Sequence, residues 1–163
     1  MDELPFYPEL IRLDATWRCN LRCKHCQTGM FREPGSKYSD LSTAELIDLF
    51  SQMNELGTKQ VGFLGGEPLL RRDFFELTKT LHSLRLRPSI TSNGWLINDR
   101  LALRLTNEIP TDVAVSLDGP DRSSHDWIRG DGSFDRAVNA LRLLAKYRGS
   151  SKSILIGISA VIH

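Results

Sequence analysis

Three cysteines, the only ones in the chain, sit inside a single run, CNLRCKHC, as Cys19, Cys23 and Cys26. An odd number of thiols packed this closely makes a poor disulfide framework and a good ligand set for metal or redox chemistry in a reducing compartment. Thiolates bind zinc or iron–sulfur clusters, and a cubane cluster held by three protein ligands instead of four keeps one iron open to a substrate. Arg18, Arg22 and Lys24 in the same stretch offset the negative charge of thiolates and sulfides. Two other readings stand beside the cluster: a zinc site with His25 as fourth ligand, and a thioredoxin-like CKHC redox pair following a strand. Zinc usually draws on a second, separate ligand pair, and a thioredoxin-type CxxC opens a helix directly, whereas QTGMFREPGSK (residues 27–37) reads as non-helical.

The remaining chemistry-bearing segments are GGEP (Gly65 to Pro68), SNG (Ser92 to Gly94), SLDG (Ser116 to Gly119) and a polar stretch, DGPDRSSHDWIRGDG, read as a long loop. Taken singly each is an ordinary turn sequence, in which Asn93 and Asp118 would bond their own backbones. Their value depends on where the elements place them.

The elements alternate. LIRLDATW puts Ile11, Leu13, Ala15 and Trp17 on one face and Arg12, Asp14 and Thr16 on the other, the period of a strand. Ser42 to Glu45 reads as a capping box opening a helix with Leu46, Ile47, Leu49, Phe50, Met53 and Leu56 on its apolar face, ended by Gly57. VGFL then predicts a second strand, and Asp73 with Glu76 a capped helix carrying Phe74, Phe75, Leu77, Leu81 and Leu84. Pro88 to Ser92 predicts a third strand, Asn98 caps a third helix, and Asp112 to Leu117 makes a fourth strand. Ser133 opens a fourth helix with Phe134, Ala137, Val138, Leu141, Leu144 and Ala145 on one stripe, and ILIGISAVIH makes a fifth strand.

Five strands alternating with four helices predict an α/β fold of parallel βα units. Periodicity leaves open whether the sheet is a barrel wall or doubly wound, but both place ligands at the carboxyl ends of the strands. CNLRCKHC, GGEP, SNG and the polar stretch all follow strands, while the helix-to-strand joins LGTKQ and RGSSKS are plain. One face is therefore expected to gather the thiols, the Gly-Gly-Glu turn and the polar stretch into a single site.

Composition narrows the class. The 163 residues suffice for one domain that buries roughly 70% of its unfolded surface. Twenty-one Lys and Arg against twenty Asp and Glu leave a net charge of +1, with no basic patch to support nucleic acid as a partner. No apolar run approaches the roughly 20 residues of a membrane span, and MDELPFYPEL is acidic where a signal peptide is basic, so a cytoplasmic protein is expected.

Cys-x3-Cys-x2-Cys after a first strand and GGEP after a second resemble the radical S-adenosylmethionine (radical SAM) superfamily. SLDG and the GSF helix start resemble in particular its peptide- and protein-modifying branch, the SPASM-type enzymes that include sulfatase maturases. The resemblance covers the chain from Arg12 onward and implies a partial TIM-like barrel. It also implies a [4Fe-4S] cluster on Cys19, Cys23 and Cys26 whose fourth iron takes S-adenosylmethionine (SAM). Gly65 and Gly66 would let backbone approach the methionyl part of SAM, and Glu67 would offer a carboxylate to its ammonium. Ser116 and Arg129 match residues that hold the SAM ribose and carboxylate in similar enzymes, with Asn93 and Asp118 as further candidates. His25 stands where the family has an aromatic near the adenine.

The implied activity is reductive cleavage of SAM and hydrogen abstraction from a peptide, protein or small-molecule substrate, with flavodoxin or ferredoxin as electron donor. The superfamily core has six βα units and this chain reads as five strands. Residues 1–163 are therefore expected to be a core domain incomplete at its C-terminus, and the alternative reading is a SAM- and cluster-binding module that needs a partner or further chain.

Overall fold

The apolar runs of period two fold as β1 (Leu10–Thr16), β2 (Gln60–Gly65), β3 (Arg87–Ser92), β4 (Asp112–Ser116) and β5 (Ile156–Ser159) in a computed structural model that describes residues 7–29, 39–149 and 153–161. All four neighbouring pairs are parallel, and the strands lie side by side in the order β1-β2-β3-β4-β5. A doubly wound sheet reverses its strand order at a switch point; an order that runs one way without reversal is that of a barrel wall.

Register aligns an apolar row across all five strands: Leu13 with Phe63, Phe63 with Ile90, Ile90 with Val113, and Val113 with Ile156. The helices α1 (Thr43–Glu55), α2 (Phe74–Ser83), α3 (Asp99–Leu103) and α5 (Ser133–Arg148) pack on this face through Phe50, Leu77, Ala102, Ala137 and Leu144. Phe63 at its centre meets Phe50 and Phe74 edge-on, with ring centroids 6.0 and 5.6 Å away. Each such ring contributes roughly 1.5–3 kcal/mol by leaving water. The opposite face carries Gly62, Ser89, Ala114 and Gly157 and borders open space.

Most expected caps form. Ser42 and Glu45 make the reciprocal capping box, Asn98 accepts from the N–H of Leu101, and Gly57 follows α1 with φ +87°. Asp73 does not act as expected: it stands at the N-cap of α2 without capping it, because its carboxylate is taken by Arg71 (2.9 and 2.6 Å) and by Thr43 Oγ1 (2.7 Å).

The segment read as a long loop after β4 contains an eight-residue helix, α4 (Arg122–Arg129), so five α-helices form among the described residues where four are expected. Asp121 caps it by accepting from the N–H of Ser124, and Gly130 ends it at φ +106°. Only His125 and Ile128 of α4 are buried, too few to write an apolar stripe into the sequence. β5 is shorter than the run ILIGISAVIH: Ile154 is buried ahead of it, and residues 162 and 163 lie outside the described residues.

Arg71 joins three elements. Besides Asp73, its guanidinium donates to the carbonyls of Ala15 in β1 (2.7 Å) and Leu41 ahead of α1 (3.1 Å), and the residue is only 7% exposed. Arg71→Ala should lower unfolding free energy by about 3 kcal/mol, because it strands a partly buried carboxylate and two carbonyls. Urea denaturation of the variant measures this.

Candidate functional site

The chain leaves β1 through a tight polar hold. Thr16 Oγ1 donates to Asp40 Oδ2 (2.6 Å), and the backbone N–H of Trp17 donates to Asp40 Oδ1 (2.8 Å). The thiol loop follows, turning through Cys26 N–H to Cys23 carbonyl (3.2 Å). Cys19, Cys23 and Cys26 all line one cavity of about 510 Å³ at the carboxyl ends of the strands, within the usual 300–1,000 Å³ of small-molecule sites. The far side of the loop is tied to α4: the N–H of Lys24 donates to the carbonyl of Ile128 (2.9 Å), and Lys24 Nζ lies 3.6 Å from the ring centroid of Trp127. Trp127 is 67% exposed, and His125 is buried.

The Gly-Gly turn after β2 is clamped onto this same stretch. Gly66 N–H donates to the carbonyl of Thr16 and Glu67 N–H to that of Arg18, both at 2.7 Å. A Cβ on Gly66 would stand 2.0 Å from the Arg18 oxygen, and one on Gly65 would stand 2.6 Å from the Thr16 oxygen. Both glycines are therefore required by the entry to the thiol loop, whatever else their exposed edge touches; both also line the cavity.

Glu67 is placed differently from expectation. Its side chain is fully buried and turned away from the cavity, toward the loop after β3. Its carboxylate accepts from Asn93 N–H (2.8 Å), Ser92 Oγ (3.0 Å) and Leu69 N–H (3.2 Å). Burial pushes this carboxyl above its ordinary range, against the three hydrogen bonds that hold it down. With its acceptor sites engaged inside the protein, Glu67 is not presented to a ligand's ammonium group. Asn93 reaches the cavity instead, with Nδ2 at 2.9 Å from Asn20 Oδ1 and 3.9 Å from Cys19 Sγ.

Ser116 at the end of β4 and Arg129 at the end of α4 both line the cavity, as does His25. Asp118 does not line it; its side chain is fully buried and holds Arg129 and His25 in place. Arg129 pairs with Asp118 through Nε and through Nη2 at 3.2 Å, and His25 Nε2 lies 3.7 Å from Asp118 Oδ2. The N–H of Val161 beyond β5 donates to the same carboxylate (3.0 Å), and Asp118's own N–H donates to His125 Nδ1 (3.1 Å). Burial alone would raise the Asp118 carboxyl, but the Arg129 and Val161 hydrogen bonds and the charges of Arg129 and His25 outweigh it and hold it below the ordinary value. Nine of the eleven expected site residues thus meet at one cavity, and Glu67 and Asp118 stand behind its wall. Asn20, Thr28 and Asp40 join the site without any motif to announce them, and residues 30–38 lie outside the described residues.

The donor chemistry fits a cluster better than a single ion. Among the described residues no group of three His, Cys, Asp or Glu side chains converges on one metal position, as a zinc site at bond lengths of about 2.0–2.3 Å demands. Thiolates on a cluster each bind a separate iron and stand further apart. Hydrogen-bonding groups already attend two sulfurs, Leu21 N–H on Cys19 (3.4 Å) and Thr28 Oγ1 on Cys26 (3.4 Å).

Three substitutions check these assignments. Gly66→Ala forces backbone against backbone and should cost at least ~2 kcal/mol, with loss of iron binding, whereas Gly157→Ala, whose Cβ meets nothing within 4 Å, should stay within about 0.5 kcal/mol. Asp118→Asn should cost about 3 kcal/mol at neutral pH. Because the Asp118 pKa is depressed on folding, its contribution is present above the ordinary carboxylate value and is lost as pH falls through the folded value. The cost of the variant should therefore shrink as pH falls below the ordinary carboxylate range in denaturant titrations.

A family model described as the Radical SAM superfamily matches residues 15–160. Mycofactocin maturase MftC of Mycobacterium tuberculosis (strain CDC 1551 / Oshkosh) is 36% identical over 152 residues, 91% of this chain and 38% of that protein. AdoMet-dependent heme synthase of Oleidesulfovibrio alaskensis is 34% identical over 136 residues, 83% of this chain and 34% of that protein. Among solved structures, native anSMEcpe with bound AdoMet superposes with a TM-score of 0.71 at 26% identity, over 91% of this chain and 42% of that one. Streptococcus suis SuiB bound to precursor peptide SuiA shares the fold with a TM-score of 0.74 at 21% identity, over 92% of this chain and 32% of that one. The chain thus spans about a third to two fifths of the curated relatives it matches. Members of the superfamily use a [4Fe-4S] cluster and SAM. The match begins inside β1 and ends beyond β5, crossing every element that lines the cavity, and the chain belongs to the radical SAM superfamily.

Proposed function

We propose that this chain is the cofactor-binding part of a radical SAM enzyme that abstracts hydrogen from a peptide or protein in a maturation or cofactor-biosynthesis pathway. The observation that carries the reading is the convergence of Cys19, Cys23 and Cys26 with Gly65, Gly66, Ser116 and Arg129 on one cavity. Cys19, Cys23 and Cys26 would hold the cluster. When bound, the cluster supplies one electron to SAM, which divides into methionine and a 5′-deoxyadenosyl radical that takes a hydrogen atom from the substrate.

This chain's residues bind and orient. The Gly-Gly backbone lies along the cavity where a methionyl group would run, Arg129 offers a guanidinium fixed by Asp118 to a carboxylate, and Ser116 offers a hydroxyl to a ribose. His25 lines the same cavity and would offer its imidazole to an adenine. The peptide or protein substrate is supported by the relative named as a mycofactocin maturase; the heme synthase relative marks small-molecule substrates as the competing class. The exposed cations Arg18, Arg22 and Lys24 on the thiol loop suit an acidic electron-transfer protein of the flavodoxin or ferredoxin kind. Three cysteines outside any disulfide suit the reducing cytoplasm, and no helix of the described residues is long and apolar enough to cross a membrane.

Anaerobic reconstitution with iron and sulfide, followed by SAM and dithionite, should yield iron–sulfur absorbance, an EPR signal on reduction, and 5′-deoxyadenosine. Cys23→Ala should remove all three. A normal cluster in that variant overturns the ligand assignment, and a loaded protein that makes no 5′-deoxyadenosine leaves only the binding-module reading.

A further inference from the structure

We propose that Asn93 is a positioning residue that raises the reduction potential of the cluster by donating its side-chain N–H to the thiolate of Cys19, with Glu67 holding it in place. The proposal rests on the reading that Cys19 is a cluster ligand. It differs from the expectation that Asn93 touches SAM.

The orientation of the Asn93 amide follows from its neighbours. Its Oδ1 accepts from the N–H of Trp95 (2.9 Å), a donor that requires an oxygen at that end, so Nδ2 must face the thiol loop. There its two hydrogens have two acceptors, Asn20 Oδ1 at 2.9 Å and Cys19 Sγ at 3.9 Å. The residue is 8% exposed, and its own N–H is fixed on Glu67 Oε2 at 2.8 Å. Ser92 Oγ, on Glu67 Oε1 at 3.0 Å, also accepts from Gly94 N–H (3.1 Å), which closes the SNG turn. Glu67 itself is pinned to the thiol loop by its N–H on the Arg18 carbonyl. The loop after β3 and the loop after β1 are thus joined twice, once through the Glu67 carboxylate and once through the Asn93 amide.

Cys19 receives a second donor, Leu21 N–H at 3.4 Å. Reduction adds negative charge to cluster and thiolates, so hydrogen-bond donors aimed at sulfur favour the reduced form and raise the potential. Asn93 is buried, and removal of its side chain deletes one of the two donors on Cys19 Sγ among the described residues. In this reading the role of Glu67 is to hold a donor against the cluster's ligand, without touching the cofactors.

The test is an EPR-monitored redox titration of the reconstituted full-length protein without SAM, for wild type and Asn93→Ala, with iron per chain and SAM dissociation constant measured alongside. Asn93→Ala should load iron normally and bind SAM with unchanged affinity. Its midpoint should shift downward, by about tenfold in the reduced-to-oxidised ratio at fixed donor potential, ~59 mV for one electron. Asn93→Asp, which sets an acceptor against the thiolate, should shift it further. An unchanged or higher midpoint in fully loaded Asn93→Ala overturns the proposal while leaving the cluster assignment intact, and weakened SAM binding at an unchanged midpoint returns Asn93 to a SAM contact. If Asn93→Ala does not load, Glu67→Ala decides: it removes the acceptor of the Asn93 N–H, and an unchanged midpoint there refutes the positioning role. Wild-type protein that assembles no cluster refutes the underlying functional reading instead.

Discussion

A carboxylate with no exposed surface governs the face where the site lies. Glu67 sits at the turn after β2, its backbone N–H on the Arg18 carbonyl and its side chain on Ser92 and Asn93. Removing a carboxylate from water is costly unless hydrogen bonds replace the lost hydration, and here three do so. Because two of those donors, Ser92 and Asn93, come from the end of β3 and the loop after it and the third, Leu69, from Glu67's own turn, the cost is met only when the turn after β2 and the loop after β3 both stand in their native positions. The geometry of thiols, glycines and amide is in this sense one cooperative arrangement, and a local change in one loop is felt in the next.

The site was legible to the extent that it was written as residue types at strand ends. Cys19, Cys23, Cys26, Gly65, Gly66, Ser116 and Arg129 followed from motif and placement, and the structure gathers them. The direction of the Glu67 side chain was not legible, because GGEP fixes a turn and says nothing about which side of it the carboxylate takes. Asp40 is more extreme: it precedes the α1 capping box and looks like helix-start chemistry, yet its carboxylate receives Thr16 and Trp17 from 23 to 24 residues upstream. Contacts across that separation depend on tertiary geometry that a local pattern does not contain.

The fold divides in the same way. Strands buried by helices on one face carry strong apolar periodicity, and β1 to β4 lie where that periodicity puts them. The choice between barrel wall and doubly wound sheet was open, because it resides in which side each crossover takes; the unreversed strand order settles it. α4 leaves no stripe in the sequence because its ends are fixed by Asp121 and Gly130 and its burial by two residues alone. Asp73 differs for the opposite reason: an N-cap residue type at the N-cap position is captured by a stronger partner, the Arg71 guanidinium.

The bond from Lys24 N–H to the Ile128 carbonyl joins the loop after β1 to the helix after β4, two strands that are not neighbours in the sheet. Such a link acts as a bowstring across the mouth of a curved wall. Ladder hydrogen bonds fix the spacing between adjacent strands but leave the bend between them soft, so a chord spanning four strands limits how far the wall can flatten. The curvature that brings Arg129 within reach of the same cavity as the thiols is thereby tied to the thiol loop itself, and the loop that would carry the metal also sets the width of the opening through which a substrate must pass.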